Sequence, residues 1–388
     1  DGSSQPGLYR SVNDGESWQL LNLPVDAAPV AWASDGGQRL AVATDDGRLF
    51  RSEDQGEQWT YAVEGLSVLS LVWDTEGGIY LGTLGQGIYH LTANGNLAEI
   101  TAGQTDLTTE AVRHMALVEG RLFAATPVSL HYTDDGGDTW TQSSPVVEGI
   151  SALAPVSRDR VYIGTQIAGV YLSTDAGRTW RPMANGLGLT AGQMVRVTAL
   201  QADPEAADVL YAAVDYLLGS SQVQASPAGA FLTLDGGGSW QPLVGPGFPK
   251  ARKTTALLLL PGRPLHTQAV TESGLQGYAP DIAGALTALE SADPQLRATA
   301  TRMLGLARWQ KATNALLASL ADPQPAVSQA AAEALGRIGD PSTASALLIA
   351  IEHPDPQVRL SAARALGLMQ VHAAVPPLRA MLLSGEEL

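Results

Sequence analysis

The sequence predicts an all-β propeller, six-bladed by the favoured count with seven allowed, followed by a C-terminal α-solenoid. Three observations predict it. An eight-residue pattern returns at steps of 41, 81, 40 and 60 residues up to residue 240, and short β-rich runs fill the intervals. Near residue 280 the composition turns to Ala and Leu at helical spacing. Beyond that point Gly305, Gly336 and Gly367 recur 31 residues apart. The boundaries read from these changes are 1–280 for the propeller and 281–388 for the solenoid.

The octapeptide is Ser or Thr, any residue, Asp or Asn, any, Gly, two residues, Trp. It reads SVNDGESW (11–18), SEDQGEQW (52–59), TDDGGDTW (133–140), STDAGRTW (173–180) and TLDGGGSW (233–240). The missing copy near position 99 survives as TANGNLAE (92–99), which keeps Thr92 and Asn94 but has lost Gly and Trp. Asn13, Asp54, Asp135, Asp175 and Asp235 are placed to accept backbone N–H bonds across a hairpin turn. The glycine supplies backbone angles that a Cβ would penalise. Trp18, Trp59, Trp140, Trp180 and Trp240 are read as packing beneath their turns.

Around each octapeptide four strands repeat, as in VLSLVW (68–73), GIYLGT (78–83), GIYHLT (87–92) and a fourth near 98–102. Such a unit is a propeller blade. Complete units lie near 29–62, 67–103, 112–145, 149–185 and 195–244. The N-terminus offers only two further strands (7–11 and 17–22), and the C-terminal end of this half offers 254–260 and 266–272. Pairing those ends closes six blades. A genuine strand at GLQGY (274–278) would instead point to seven.

In the second half, DPQLRATATRMLGLA (293–307), DPQPAVSQAAAEALGRIG (322–339) and DPQVRLSAARALGLM (355–369) each open on Asp-Pro. Asp as N-cap with Pro in the first turn is a helix start. Partner helices fall at 312–320 and 344–352.

The octapeptide resembles the Asp-box, or bacterial neuraminidase repeat, of sialidases, sortilin-type receptors, xyloglucanases and photosystem II assembly factors. The C-terminal repeats resemble HEAT repeats of the phycobilisome-lyase type. The first resemblance implies a propeller with the box residues holding outer turns. The second implies a protein-binding scaffold without lyase chemistry. Sialidases resemble one another in a Phe/Tyr-Arg-Ile-Pro segment ahead of the first box. Nothing before Ser11 matches it, so the substrate anchor is missing.

Composition narrows the function classes. With 23 Lys+Arg against 39 Asp+Glu, the net charge is −16, which disfavours nucleic acid and anionic lipid surfaces. Residues 281–388 hold 10 acidic and 8 basic residues, so residues 1–280 carry the excess, 29 against 15. Absence of Cys removes disulfides, thiolate metal sites and a Cys nucleophile. No apolar run is long enough to insert in a membrane. The six histidines show no metal-ligand spacing, and no cofactor motif is present.

The long connections, 103–112, 182–195, 214–228 and 243–253, all belong to the end opposite the octapeptide turns. Long loops on a rigid scaffold are where binding usually resides. Arg113, Arg196 and Lys253 stand near the starts of first strands, Lys253 within PKARK with Lys250 and Arg252. They read either as solvated charges or as a patch for an acidic peptide, with Tyr216 as an aromatic anchor. Arg297 and Arg359 occupy equivalent repeat positions and are expected to bind an Asp of an adjacent turn. The function expected is a non-catalytic interaction or assembly scaffold, part of a larger complex, that binds protein partners through the long-loop face of the propeller and the HEAT surface, with an extracytoplasmic location favoured over a cytoplasmic one. The alternative is an extracytoplasmic glycan-binding or glycan-cleaving protein.

Overall fold

A computed structural model describes residues 7–13, 17–101, 103–143, 149–188, 193–204, 206–219, 224–243, 253–259, 265–271 and 274–384. Chain contacts divide it into two compact units. The first takes Asp1–Leu243, Lys250–Leu257 and Ala269–Leu275, and the second takes the remainder, chiefly Gln276–Leu388.

The first unit is a series of antiparallel sheets. Strands β1 (Leu8–Arg10) and β2 (Gln19–Leu21) form a pair. Five four-stranded sheets follow, each in sequence order: β3–β6 (29–64), β7–β10 (68–99), β11–β14 (114–143), β15–β18 (150–182) and β19–β22 (194–242). Strands β23 (Thr254–Leu259), β24 (Thr267–Thr271) and β25 (Gly274–Tyr278) make a last sheet of three, whose residues the division shares between the units. The segment 274–278 is thus a true third strand. The described residues form seven sheets, where the favoured count joined the two chain ends into one shared sheet of a six-bladed ring.

These sheets are propeller blades. Their first strands, β3 (Pro29–Ser34), β7 (Val68–Trp73), β11 (His114–Val118), β15 (Ile150–Pro155) and β19 (Met194–Asp203), follow one another side by side. Each inner strand except β11 carries a bulge against its second strand. At three junctions a hydroxyl on the inner strand donates to a backbone carbonyl of the next blade. The pairs are Ser70 Oγ to Val112 O at 2.8 Å, Ser151 Oγ to Val197 O at 2.7 Å, and Thr198 Oγ1 to Thr254 O at 2.8 Å.

Second strands such as IYLGT, RLFAA and VYIGT are buried at every residue. They are covered on both faces by neighbouring blades, so the alternation of a half-exposed strand is lost. Tyr162, Tyr211 and Phe123 lie fully inside, each contributing roughly 2–3 kcal/mol of apolar burial. A Cβ at Gly164 would meet the Val197 side chain at 2.6 Å, so the next blade's approach requires glycine there. Fourth strands are short and exposed, and two carry a proline (Pro182, Pro242), which suits an edge.

The second unit contains α2 (Ile282–Ala288), α3 (Pro294–Leu306), α4 (Thr313–Leu320), α5 (Pro325–Ile338), α6 (Ala344–Ala350), α7 (Pro356–Leu368) and α8 (Val375–Ser384). The short helix α1 (Thr105–Thr109) belongs to the first unit. Asp293 and Asp355 cap α3 and α7 through their side chains, as the Asp-Pro pairs predict. In the middle repeat the start slips by two residues. Asp322 still accepts from Gln324 N, but Gln324 is the cap and Pro325 opens α5. Helices α3, α5 and α7 stack in turn through glycine. A Cβ on Gly305 would lie 2.4 Å from Ala334 Cβ, and one on Gly336 2.6 Å from Ala365 Cβ. The equivalent Gly367 has nothing within 4 Å.

Candidate functional site

The antiparallel order gives each blade two ends. At one end lie the turns between strands one and two and between strands three and four, including every octapeptide. At the other lie the turns between strands two and three and the connections from blade to blade.

The octapeptide turns share one hydrogen-bond scheme. In 133–140, Thr133 Oγ1 donates to Asp135 at 2.7 Å, Gly137 N donates to Thr133 Oγ1 at 2.9 Å, and Thr139 N donates to Asp135 at 2.9 Å. The turns at 52–59, 173–180 and 233–240 repeat it through Asp54, Asp175 and Asp235. Asn13 takes the same part in the first copy, accepting from Ser17 N. Gly56, Gly137, Gly177 and Gly237 all have φ between 88° and 106°. The donors hold Asp175 at about 2 and push Asp135 well below the ordinary carboxylate value, side-chain and backbone donation from the Thr four residues on (Thr179 and Thr139) being the largest cause. These carboxylates are spent on their own turns. The decayed copy keeps a hairpin in which Asn96 N donates to Thr92 Oγ1, while Asn94 takes no such part among the bonds seen.

Two of the tryptophans are clasps between blades as much as turn supports, whereas the buried Nε1 atoms of Trp59 and Trp180 make no such bond. Trp140 Nε1 donates to Ile100 O and Trp240 Nε1 to Met183 O, both at 2.7 Å and both in the preceding blade.

At the opposite end, the cation patch expected from sequence is only partly assembled. Arg113 and Lys253 are exposed. Arg196 is instead bound to Asp215, Nη2 to Oδ2 at 2.5 Å, with Asp215 only 2% exposed. It is a structural ion pair, not a free cation. Lys250 and Arg252 lie outside the described residues. Tyr216 is not on a loop either. Strands β20 (Ala206–Leu218) and β21 (Gln224–Thr233) prolong their blade as a hairpin. Tyr216 pairs with Ser226 and Val195 there and packs partly buried against the blade's core.

What gathers at this end is apolar surface. Leu84, Val128 and Ile167 stand in the same turn of three successive blades, 54%, 49% and 48% exposed. Met194 and Leu218 extend the series on the next blade. The turns are stitched to the following blade, by Gly85 N to Glu110 O and by Val195 N to Ile167 O, so the side chains stand on fixed backbone. His131 is buried beneath Ser129 Oγ at 2.8 Å, with Asp106 of α1 at 3.8 Å. Burial pushes its imidazole below the usual value, with partial compensation from Asp106. His114 is lowered by burial and by Arg113. The sequence reading passed over these turns, although TLGQG (83–87), TPVSL (126–130) and TQIAGV (165–170) each show an apolar residue where a polar one is usual.

Among the described residues, no cluster of three or more His, Asp or Glu could hold a metal. No helix there is long and apolar enough to cross a membrane. In the second unit, Arg297 binds Asp322 in the next repeat's turn at 2.8 Å, as expected. For Arg359 the equivalent following turn lies outside the described residues. Arg359 donates to the carbonyls of His353 and Pro354 in its own preceding turn.

Residues 282–351 match HEAT repeats, and residues 358–384 match the PBS lyase HEAT-like repeat. No curated protein matches the chain. Among solved structures, the chain is similar to a GH74 xyloglucanase from Xanthomonas campestris. The TM-score is 0.57 at 17% identity, covering 70% of this chain and 48% of the enzyme. It is also similar to YCF48 bound to D1 peptide, with a TM-score of 0.50 at 13% identity, covering 69% and 84% respectively. A third is the extracellular domain of a one component system from B. thetaiotaomicron, with a TM-score of 0.51 at 13% identity, covering 74% and 38%. The chain thus spans about half the length of the xyloglucanase it resembles. At these identities the likeness establishes the propeller fold alone.

Proposed function

We propose that the chain is a non-catalytic protein-interaction scaffold whose propeller docks a partner through the end bearing Leu84, Val128 and Ile167. The observation that carries the reading is their exposure at one repeated turn position on a rigid backbone. Isolated exposed apolar residues are ordinary, but a series on one face marks an interaction surface. Arg113 and Lys253 are exposed cations on this end, each a local contact for a carboxylate of the partner. The helical unit offers a second surface through exposed Ile349 and Leu368. In the same reading the octapeptide turns are Asp-boxes with a structural role, and the protein works outside the cytoplasm. A propeller of the same fold, YCF48, has been seen with a peptide bound, which suits the reading without deciding it.

The rival is a glycan-cleaving propeller, which the xyloglucanase likeness raises. A glycosidase needs two carboxylates aimed at one bond. The octapeptide carboxylates are committed to their turns, which favours the scaffold.

The test is affinity capture with the intact chain beside Leu84→Ser/Ile167→Ser, the partner then being purified and titrated by calorimetry. The scaffold reading expects a stoichiometric partner that binds the wild-type chain at least tenfold more tightly than the variant. Equal binding by both removes the docking face. Release of reducing sugar from xyloglucan by the wild-type chain overturns the non-catalytic reading.

A further inference from the structure

The octapeptide end of the propeller carries a feature that the docking face does not use. Its turns hold thirteen carboxylates against four arginines among the described residues, whereas the opposite end holds five against two cations. The described turns of this end therefore carry an excess of nine carboxylates, against three at the other. There, a cleft of about 810 Å³ opens where the inner strands finish. Blades from across the propeller contribute to it, including Trp32, Trp73 and Asp74, Leu117, and Gln201.

Trp32 is the unusual member. It sits on the inner strand β3 yet is 56% exposed, whereas Leu71, at the matching position of the next blade, is buried. An indole face left open to water beside carboxylates is a receptor for a cation. The cleft already holds one such arrangement. The Arg39 guanidinium lies 4.9 Å from the centroid of the Trp73 ring and donates to Asp35 at 2.7 Å. Trp73 in turn is fastened by Nε1 to Ala33 O, so ring and carboxylate are fixed before any ligand arrives. Asp74 is ionised in place. Burial works against its charge, but His90 at 2.7 Å and the N–H groups of Gly78 and Glu76 outweigh it and hold its pKa below the usual range.

We infer that this cleft binds a basic peptide segment, one Arg or Lys side chain lying over Trp32 while the surrounding acidic turns attract the rest. The charge of the end selects the peptide and speeds its arrival, and the indole gives it a fixed seat. This site stands apart from the docking face and does not rest on it.

The probe is a fluorescein-labelled (Gly-Ser-Arg)3 peptide, titrated by anisotropy into the full chain, with (Gly-Ser-Glu)3 as counterpart. Binding of the Arg peptide alone is expected, weakening with added salt. Trp32→Ala should weaken it about five- to thirty-fold, the range of a desolvated cation–π contact, and Trp32→Phe should restore part of the loss. Trp32 is on the surface, so its replacement leaves the fold intact, which unchanged circular dichroism verifies. Binding that falls with salt but ignores Trp32→Ala is diffuse attraction to an acidic surface, and it overturns the site. Equal binding of both peptides, or no binding of either, overturns it too. So does a cello-oligosaccharide that quenches Trp32 where the Arg peptide does not.

Discussion

The three equivalent glycines of the solenoid should respond to alanine with opposite signs. Within a helix, Gly→Ala gains up to about 1 kcal/mol from backbone entropy and propensity. At Gly336 the new Cβ would stand 2.6 Å from Ala365 Cβ and 2.7 Å from its Cα. Ordinary contact needs more than 3.4 Å, so α5 and α7 must separate by close to 1 Å or tilt. Overpacking of that kind costs about 1–3 kcal/mol and more where backbone must move. The net for Gly336→Ala is a loss of about 1–2 kcal/mol, and Gly305→Ala behaves alike because its nearest atom is 2.4 Å away. Gly367→Ala meets nothing within 4 Å and keeps the propensity gain, a few tenths to about 1 kcal/mol near a helix end. Urea titration of the full chain, followed by far-ultraviolet circular dichroism of its helices, should therefore show the midpoint falling for the first two and holding or rising for the third. Equal losses at Gly336 and Gly367 would refute the stacking argument, since the two sites share sequence context and differ in the neighbour.

Three further expectations follow from the first unit. Arg196→Ala strands Asp215, 2% exposed, without its partner, and should cost about 3–5 kcal/mol in chemical denaturation, while Arg113→Ala stays within about 0.5 kcal/mol. Trp140→Phe removes the bond to Ile100 O and should cost about 0.5–1.5 kcal/mol with little change in packing volume. Acid stability should track the octapeptide carboxylates. The folded pKa values of Asp54, Asp135 and Asp175 are depressed, to about 2 at Asp175, so the stabilisation is complete above the unfolded value near 4 and is lost as pH falls toward 2. An acid titration monitored by tryptophan fluorescence should show this loss flattened in Asp175→Asn, and an unchanged acid limb would count against it.

The blades were legible because each turn repeats a hydrogen-bond scheme that only Ser/Thr, Asp/Asn and Gly at fixed offsets can make, as Thr133, Asp135 and Gly137 do. The helical repeats were legible from Asp-Pro starts and spaced glycines. The site was less so, because exposure depends on what lies opposite in space. Arg196 reads as a free cation until β20 brings Asp215 beside it. Tyr216 reads as a loop aromatic until the hairpin's register is known. Trp32 and Leu71 occupy the same strand position, and no local pattern says that one is covered and the other bare. The strand at 274–278 was left open for the same reason, since two glycines in five residues argue weakly for a strand without its partner.

The clasps between blades also give the chain a direction. Trp140 and Trp240 reach back to the blade already formed, whereas Ser70, Ser151 and Thr198 reach forward to a carbonyl not yet synthesised when their own strand emerges. A nascent chain can therefore fasten the outer edge of each blade at once, but it must leave the inner edge open until its successor arrives. Growth would proceed as a zipper with its trailing side closed and its leading side waiting. A ribosome-bound chain stalled after residue 190 should accordingly protect the Trp140 indole from exchange while leaving the Ser151 hydroxyl without its acceptor.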